Sequence, residues 1–271
     1  MMKSMKTDDD YELNVRIEGE GTPGLLLVHG FPFDHRQWDP QLEALGERTT
    51  VVAPDLRGLG TSEGAADPST CSMDRYARDL VGILDELGWE RTVLAGLSMG
   101  GYIALAFQRL FPSRIAGLVL MDTHPYSDSE EKQAERRRSQ EKVQQDGAAA
   151  LVDELVQRVL GVTTLEEREQ VVAGVREMMS DQPAEGVVCA LEAMLKRPSS
   201  VADLAGIQAP TLVVVGSEDT LTTPVQLQGM AAKIPGARFS EIPAAGHLVN
   251  LEAPEAVNEV LLGFLQEIGA A

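Results

Sequence analysis

Ser98 stands between Gly96 and Gly100, and Asp219 and His247 follow it along the chain. A serine hydroxyl is a weak nucleophile until a neighbouring base takes its proton, and that base needs a carboxylate to orient it. Only four histidines are available as the base: His29, His35, His124 and His247. His247 follows Ala-Ala-Gly in a stretch between the last strand-like run and the last helix-like run. A loop of that kind, at the C-terminal edge of a parallel sheet, is where ligands meet such a fold. Asp219 ends the run Val-Val-Val-Gly-Ser-Glu-Asp. The order Ser98, Asp219, His247 is the one expected when the serine sits on a G-x-S-x-G elbow.

The elements around Ser98 must hold it in that turn. Residues 92–97 read as a short buried strand and residues 99–110 as a helix, so the hydrophobic period changes at the serine itself. A strained serine leaves no room for side chains two residues away on either side, which accounts for Gly96 and Gly100. An oxyanion formed by attack of Ser98 needs two donors. The Met99 N–H is one, at a helix start where amides are free. The Phe31 N–H is the other, in the loop that follows the apolar strand at residues 24–30.

Further strands are expected at residues 11–18, an outer antiparallel strand with one solvated face, and at 50–57, 115–122, 209–219 and 237–242. A turn containing Pro23 is expected over residues 19–24. Helices are expected at 40–47, from a cap at Ser72 or Asp74 to Leu87, and at 254–268. The alternation of strand and helix with short connections indicates a parallel sheet covered by helices. Between 127 and 198 the texture changes to charged helices, at 130–145, 148–160, 166–179 and 185–196, with no strand-like run. The expected organisation is a core over residues 1–126 and 199–271, interrupted by a helical cap over 127–198.

Composition narrows the function. With 23 basic against 42 acidic residues, the formal charge of -19 argues against nucleic acid, which needs a basic footprint, and against an anionic membrane surface. No apolar run is long enough to span a bilayer. The first ten residues lack the apolar core of a signal peptide and read as a disordered leader, so a cytoplasmic location is expected. Cys71 and Cys189 are too few for a disulfide framework and read as buried or incidental thiols. The glycine-rich loop at 58–64 lacks the lysine and spacing of a phosphate-binding loop. No two histidines have the spacing of a metal site, so neither a metal nor another cofactor is expected.

Five ordered marks carry a resemblance: His29-Gly30-Phe31-Pro32, Asp55 to Ser62, Gly96 to Gly101, Gly216-x-x-Asp219 and Gly246-His247. Over residues 11–268 the chain resembles the α/β-hydrolase superfamily, in its esterase, enol-lactonase and cofactor-free haloperoxidase-like group. The resemblance implies a mostly parallel sheet flanked by helices, with the cap inserted after the sixth strand. It implies Ser98, Asp219 and His247 as the catalytic triad, with His29 and Gly30 shaping the oxyanion loop and the 57–62 segment bracing it. Asp122 also ends a strand, and some relatives place the acid there; Asp219 is preferred because Gly216-Ser-Glu-Asp matches the usual acid turn. Ser98 excludes the relatives whose nucleophile is aspartate. Residues expected at the substrate pocket are His29, Phe33, Trp38, His124, Met178, Met179 and Leu248, although core packing explains the two methionines equally well. Arg136, Arg137 and Arg138 are read as a solvated helix face, with a substrate-facing cation as the alternative.

The expected activity is hydrolysis of a small-molecule carboxylic ester. A lactonase similar to 3-oxoadipate enol-lactonases, a carbon–carbon bond hydrolase and a non-catalytic small-ligand receptor remain as alternatives. The oligomeric state, including a homo-oligomer, is left open. The acidity has two explanations, salt adaptation and compositional drift. Under salt adaptation, self-repulsion weakens the compact state at low ionic strength. Tm then rises by several degrees between dilute buffer and about 1 M NaCl. Drift leaves the melting curve flat or falling.

Overall fold

The computed structural model describes residues 1–21, 24–64 and 67–270. The turn expected around Pro23 therefore lies partly outside the described residues. The chain runs β1 (Met2–Lys6), β2 (Glu12–Glu18), β3 (Leu25–Val28), α1 (Asp39–Gly46), β4 (Val51–Pro54), α2 (Met73–Glu86), β5 (Thr92–Leu97), α3 (Met99–Leu110) and β6 (Ile115–Met121). Five helices follow: α4 (Glu130–Asp146), α5 (Val152–Val159), α6 (Val162–Glu167), α7 (Glu169–Ser180) and α8 (Ala184–Lys196). The chain then returns to the sheet as β7 (Thr211–Gly216), α9 (Pro224–Ala231), β8 (Arg238–Ile242), α10 (Val249–Glu252) and α11 (Pro254–Glu267).

The strands form one sheet in the order β1-β2-β4-β3-β5-β6-β7-β8. The β1–β2 and β2–β4 pairs are antiparallel, and all the others are parallel. This is the α/β-hydrolase fold, with the helical insertion after β6.

The two faces of the sheet follow from strand alternation. Leu26, Val28, Leu94, Leu118, Leu120 and Val213 point to one side, the side on which α2, α3 and α9 pack. Leu25, Leu27, Val93, Ala95, Val119 and Val214 point to the other, the side of α1 and α11. Burial on both faces explains why β3 to β7 read as unbroken apolar runs. The Ser72 side chain caps α2 by accepting from the Arg75 N–H at 3.0 Å.

The leader is not disordered: residues 2–6 form an edge strand on β2, in register from Met2 opposite Arg16 to Lys6 opposite Glu12. It has no apolar alternation because only Met5 of the five residues is buried. Its backbone nevertheless satisfies the row of groups that β2 would otherwise leave unpaired. The next turn is anchored too, since Asp9 pairs with Arg57 at 2.7 Å and Arg57 also meets buried Asp79 at 2.7 Å.

The insertion is bonded to the loops at the C-terminal edge of the sheet. Past α5, the Gly161 N–H donates to Glu252 Oε2 at 2.8 Å, and Thr163 binds the Glu218 carboxylate through both its N–H (2.9 Å) and its hydroxyl (2.5 Å). Arg168 donates to the carbonyls of Ala244 (2.9 Å) and Glu252 (2.7 Å). Across the site, Gln182 donates to Asp34 and accepts from the Gly60 N–H. No helix among the described residues is long and apolar enough to cross a membrane.

Candidate active site

Ser98 joins β5 to α3 with φ 55° and ψ −112°, a left-handed backbone that a non-glycine residue adopts only under constraint. The constraint is steric. A Cβ at Gly96 would lie 2.2 Å from the Gly100 carbonyl oxygen, and a Cβ at Gly100 would lie 2.1 Å from the Val28 carbonyl oxygen. The turn is thus pressed against the end of β3, next to the loop that carries Phe31. The Ser98 N–H donates to the Met121 carbonyl at 2.9 Å, and the Thr123 hydroxyl donates to the Ser98 carbonyl at 2.8 Å.

His247 and Asp219 reach this serine from the loops after β8 and β7. Ser98 Oγ lies 2.8 Å from His247 Nε2, and His247 Nδ1 lies 2.8 Å from Asp219 Oδ2. Asp219 Oδ1 also accepts from the N–H groups of Leu221 (2.7 Å) and Thr222 (3.0 Å), while the Thr222 hydroxyl donates to Oδ2 at 2.5 Å. Burial alone would raise the Asp219 carboxyl, but the charge of His247 and the hydrogen bonds from His247 and Thr222 lower it to about 2. The pair fixes the imidazole so that Nδ1–H faces the carboxylate and Nε2 faces the hydroxyl. The His247 N–H donates to the Val159 carbonyl at 3.0 Å, so the end of α5 also helps to place the ring.

Ser98 and His247 open on a cavity of about 420 Å³ whose far walls come from the insertion. Its apolar side is Leu151, Leu155, Val159, Leu191 and Met194; its polar side includes Lys132, Glu135, Arg136 and Arg158. Phe31 lines it, as does His124. Met99 is buried at the start of α3, where the first amides have no acceptor within the helix.

The other residues expected at the pocket are elsewhere. His29 is fully buried behind the loop that carries Phe31, its Nδ1–H donating to the Gly30 carbonyl at 2.8 Å and its Nε2 accepting from the Leu56 N–H at 3.0 Å. It thus ties the loop to the strand end after β4. Phe33, Trp38, Met178, Met179 and Leu248 all belong to the core cluster beneath α1, α5, α7 and α11. The two methionines lie on the face of α7 that packs inward, and the open wall is formed by α5 and α8. Of the three arginines, Arg136 turns inward to pair with Asp128 at 2.6 Å and lines the cavity, while Arg137 and Arg138 are exposed. The three arginines divide in this way because α4 places its polar residues on both its solvent face and its cavity face.

Tyr102, Thr222 and the α8 wall were not anticipated. Tyr102 is four residues beyond Ser98, a spacing that puts both on one face at the start of α3 and could have identified it. Its hydroxyl lies 3.0 Å from His124 Nε2, and Arg197 stacks 4.0 Å above its ring. Because His124 Nδ1 accepts from the Tyr126 N–H at 3.2 Å, Nε2 carries the proton and donates to the Tyr102 oxygen. Burial, with the neighbouring Arg197 guanidinium adding to it, lowers His124 to about 4, so the ring stays neutral.

The described residues contain two further groups of clustered carboxylates and imidazoles, Asp34-His35-Asp55 and Asp8-Asp9-Asp79. Their oxygens accept from Arg36, His35, Thr61, Arg57 and Arg75, which accounts for both without a metal. Cys71 and Cys189 are both buried free thiols.

An open parallel sheet with a left-handed serine at a strand–helix turn, and a histidine and an acid on the neighbouring loops, defines a nucleophile-elbow protein. Residues 23–254 match the family described as alpha/beta hydrolase fold, and the chain belongs to that family. It is 37% identical to a thermophilic esterase from Thermogutta terrifontis, whose malate-bound structure superposes with a TM-score of 0.95 over 99% of both chains. It is 30% identical to 3-oxoadipate enol-lactonase 1 of Acinetobacter baylyi over 94% of each chain. The enol-lactonase from Burkholderia xenovorans LB400 superposes with a TM-score of 0.89 at 29% identity, over 97% of this chain and 100% of that one. These relationships support a hydrolytic enzyme of the general carboxylesterase type.

The neutral His124 has a consequence for stability. Between its ordinary value of 6.5 and about 4, the unfolded chain binds a proton at this ring and the folded chain does not. This residue therefore lowers stability as pH falls through that window and has no effect above it. Denaturant titrations of wild type and His124→Gln should differ by an amount that is constant above about pH 7.5 and drifts in favour of the variant toward pH 4.

Proposed function

We propose that the protein is a serine hydrolase that cleaves a small-molecule carboxylic ester through an acyl-enzyme. Ser98 Oγ attacks the acyl carbon as His247 Nε2 takes its proton. The tetrahedral oxyanion is held by the N–H groups of Phe31 and Met99, and Asp219 stabilises the imidazolium. His247 returns the proton to the leaving alcohol. A water activated by the same ring then releases the acid and restores the serine. The observation that carries this reading is the continuous relay from Ser98 Oγ through His247 to Asp219, 2.8 Å at each link, at the floor of the cavity.

A lactone is a cyclic ester, and one feature favours it as a second reading. In a chain of formal charge -19, the polar wall carries Lys132, Arg136 and Arg158, with two carboxylates, Asp128 and Glu135, among them. Lys132 and Arg158 pair with Glu135, and Arg136 with Asp128, so these residues hold one cation more than they hold carboxylates, a balance that suits a substrate bearing an anionic group beside its ester bond.

The deciding experiment is a turnover panel of short-chain p-nitrophenyl esters, lactones and ring-fission products, run on wild type, Ser98→Ala and Asp219→Asn. Ester turnover should be lost in Ser98→Ala and should fall about 10³–10⁴-fold in kcat in Asp219→Asn with the fold intact. Cleavage confined to ring-fission products would point to a carbon–carbon bond hydrolase. Binding without turnover of any of the three classes would point to a receptor.

The wall residues set a second prediction. Met194→Ala should move the preference toward longer acyl chains by about tenfold or more in relative kcat/KM. Met179→Ala should leave the profile unchanged and cost about 2–5 kcal/mol of stability, as a truncation in the core does. A panel of esters of increasing chain length, with urea melts of both variants, checks the pair.

A further inference from the structure

Asp122 follows β6 with φ 42°, a left-handed backbone, and is fully buried. Its Oδ1 accepts from the Gly216 N–H at 2.9 Å, and its own N–H donates to the Val214 carbonyl at 3.0 Å. Its Oδ2 is buried and finds no donor among the described residues. A carboxylate oxygen left in that state pays its full desolvation cost with nothing in return. One ligating atom each of Asp122, Asp219 and His247 lie within 4.8 Å of one another, so this orphaned group stands beside the proposed catalytic acid.

The charged groups facing it are Asp219 from the loop after β7, His247 from the loop after β8, and Glu252 from α10. Glu252 is itself buried and is taken up by the N–H groups of Gly161 and Leu248. Two further carboxyl groups and one imidazole already committed to Asp219 leave no cation, among the described residues that face it, to balance a second negative charge. Like charges at this range force one of the two carboxyls to keep its proton. Asp219 has four donors and Asp122 has one, so the proton belongs on Asp122. Burial, and then the charge of Asp219, push the Asp122 carboxyl well above its ordinary range.

We propose that Asp122 is a neutral carboxylic acid whose Oδ2–H donates to the Asp219 carboxylate, making it a positioning residue for the triad acid. The inference rests on the reading of Ser98, His247 and Asp219 as the triad. The proton satisfies the one oxygen that otherwise lacks a partner and gives Asp219 a further donor. It also lowers the basicity of Asp219, so that during turnover the proton taken from Ser98 stays on the imidazole.

Asparagine reproduces a protonated aspartate here: its Oδ1 can accept from Gly216 and its Nδ2–H can donate to Asp219. Asp122→Ala should lower kcat about 10- to 100-fold with KM little changed, the loss expected when a donor to a buried charge is removed. The acid limb of its pH–kcat/KM profile should move to higher pH, because a more basic Asp219 stabilises the imidazolium. Asp122→Asn should recover most of the lost kcat and return the limb to the wild-type position. Asp122→Leu, of similar bulk and without a donor, serves in place of the alanine variant if that fails to fold. A protonated-carboxyl C=O band in the infrared spectrum at pH 7, lost in Asp122→Asn, reads the proton independently of turnover.

An Asp122→Asn enzyme as impaired as Asp122→Ala, or the absence of that band, overturns the proposal. Full activity in Asp122→Ala and Asp122→Leu also overturns it. Ser98→Ala and Asp219→Asn are measured alongside: retained turnover in both would overturn the triad reading itself, a result distinguishable from failure at Asp122 alone.

Discussion

The left-handed backbone at Ser98 is the constraint on which the rest of the site depends. A serine at φ 55° has no intrinsic reason to stay there and must be held by its surroundings. Two glycines let the turn approach its neighbours to distances no side chain could share, and the neighbour of Gly100 is the end of β3. The same strand end leads into the loop with Phe31, which His29 anchors from behind. The nucleophile turn and the proposed oxyanion loop are therefore parts of one packed unit, so neither can shift without the other.

The second organising feature is the arrangement of buried charge. Three carboxyl groups, Asp122, Asp219 and Glu252, converge where the loops after β6, β7 and β8 meet the short helix α10. Each meets a different set of donors. Asp219 is surrounded by hydrogen bonds and the imidazole, Glu252 ties two loop amides together, and Asp122 has one amide. The number of donors, more than the residue type, separates their roles. On the cavity side, Tyr126 directs His124 Nδ1 as an acceptor and thereby sets which ring nitrogen faces Tyr102.

The helical insertion contributes both cavity wall and alignment. Its α5 end receives the His247 N–H, and the segment beyond α5 is bonded to Glu252, on the short helix after the His247 loop, and to Glu218, beside Asp219. Substrate shape and the placement of the imidazole are thus coupled through the same helix end. A change in the insertion that moves Val159 acts on the ring as well as on the wall.

The glycine-flanked turn at Ser98 and the alternation of strands and helices could be read from the sequence because local steric demands produce them. A strand-to-helix turn that tight requires glycines at fixed offsets, and strands buried on both faces become apolar runs that alternate with helices. The edge strand β1 was not legible, because it is stabilised by backbone pairing to β2 and five mostly exposed residues carry no periodic signal. The pocket wall was not legible either. Met178, Met179 and Met194 are chemically alike and all sit on apolar helix faces, and only the packing of α7 and α8 decides which faces the core and which the cavity. The surroundings of Asp122 were likewise decided by tertiary structure: an aspartate at a strand end reads as a candidate acid, and only the three-dimensional count of donors separates its single amide from the four donors around Asp219. Local sterics act over a few residues and leave their mark on the sequence, whereas burial, donor supply and wall composition depend on segments far apart in the chain, as Asp122 and the Gly216 amide that reaches it are.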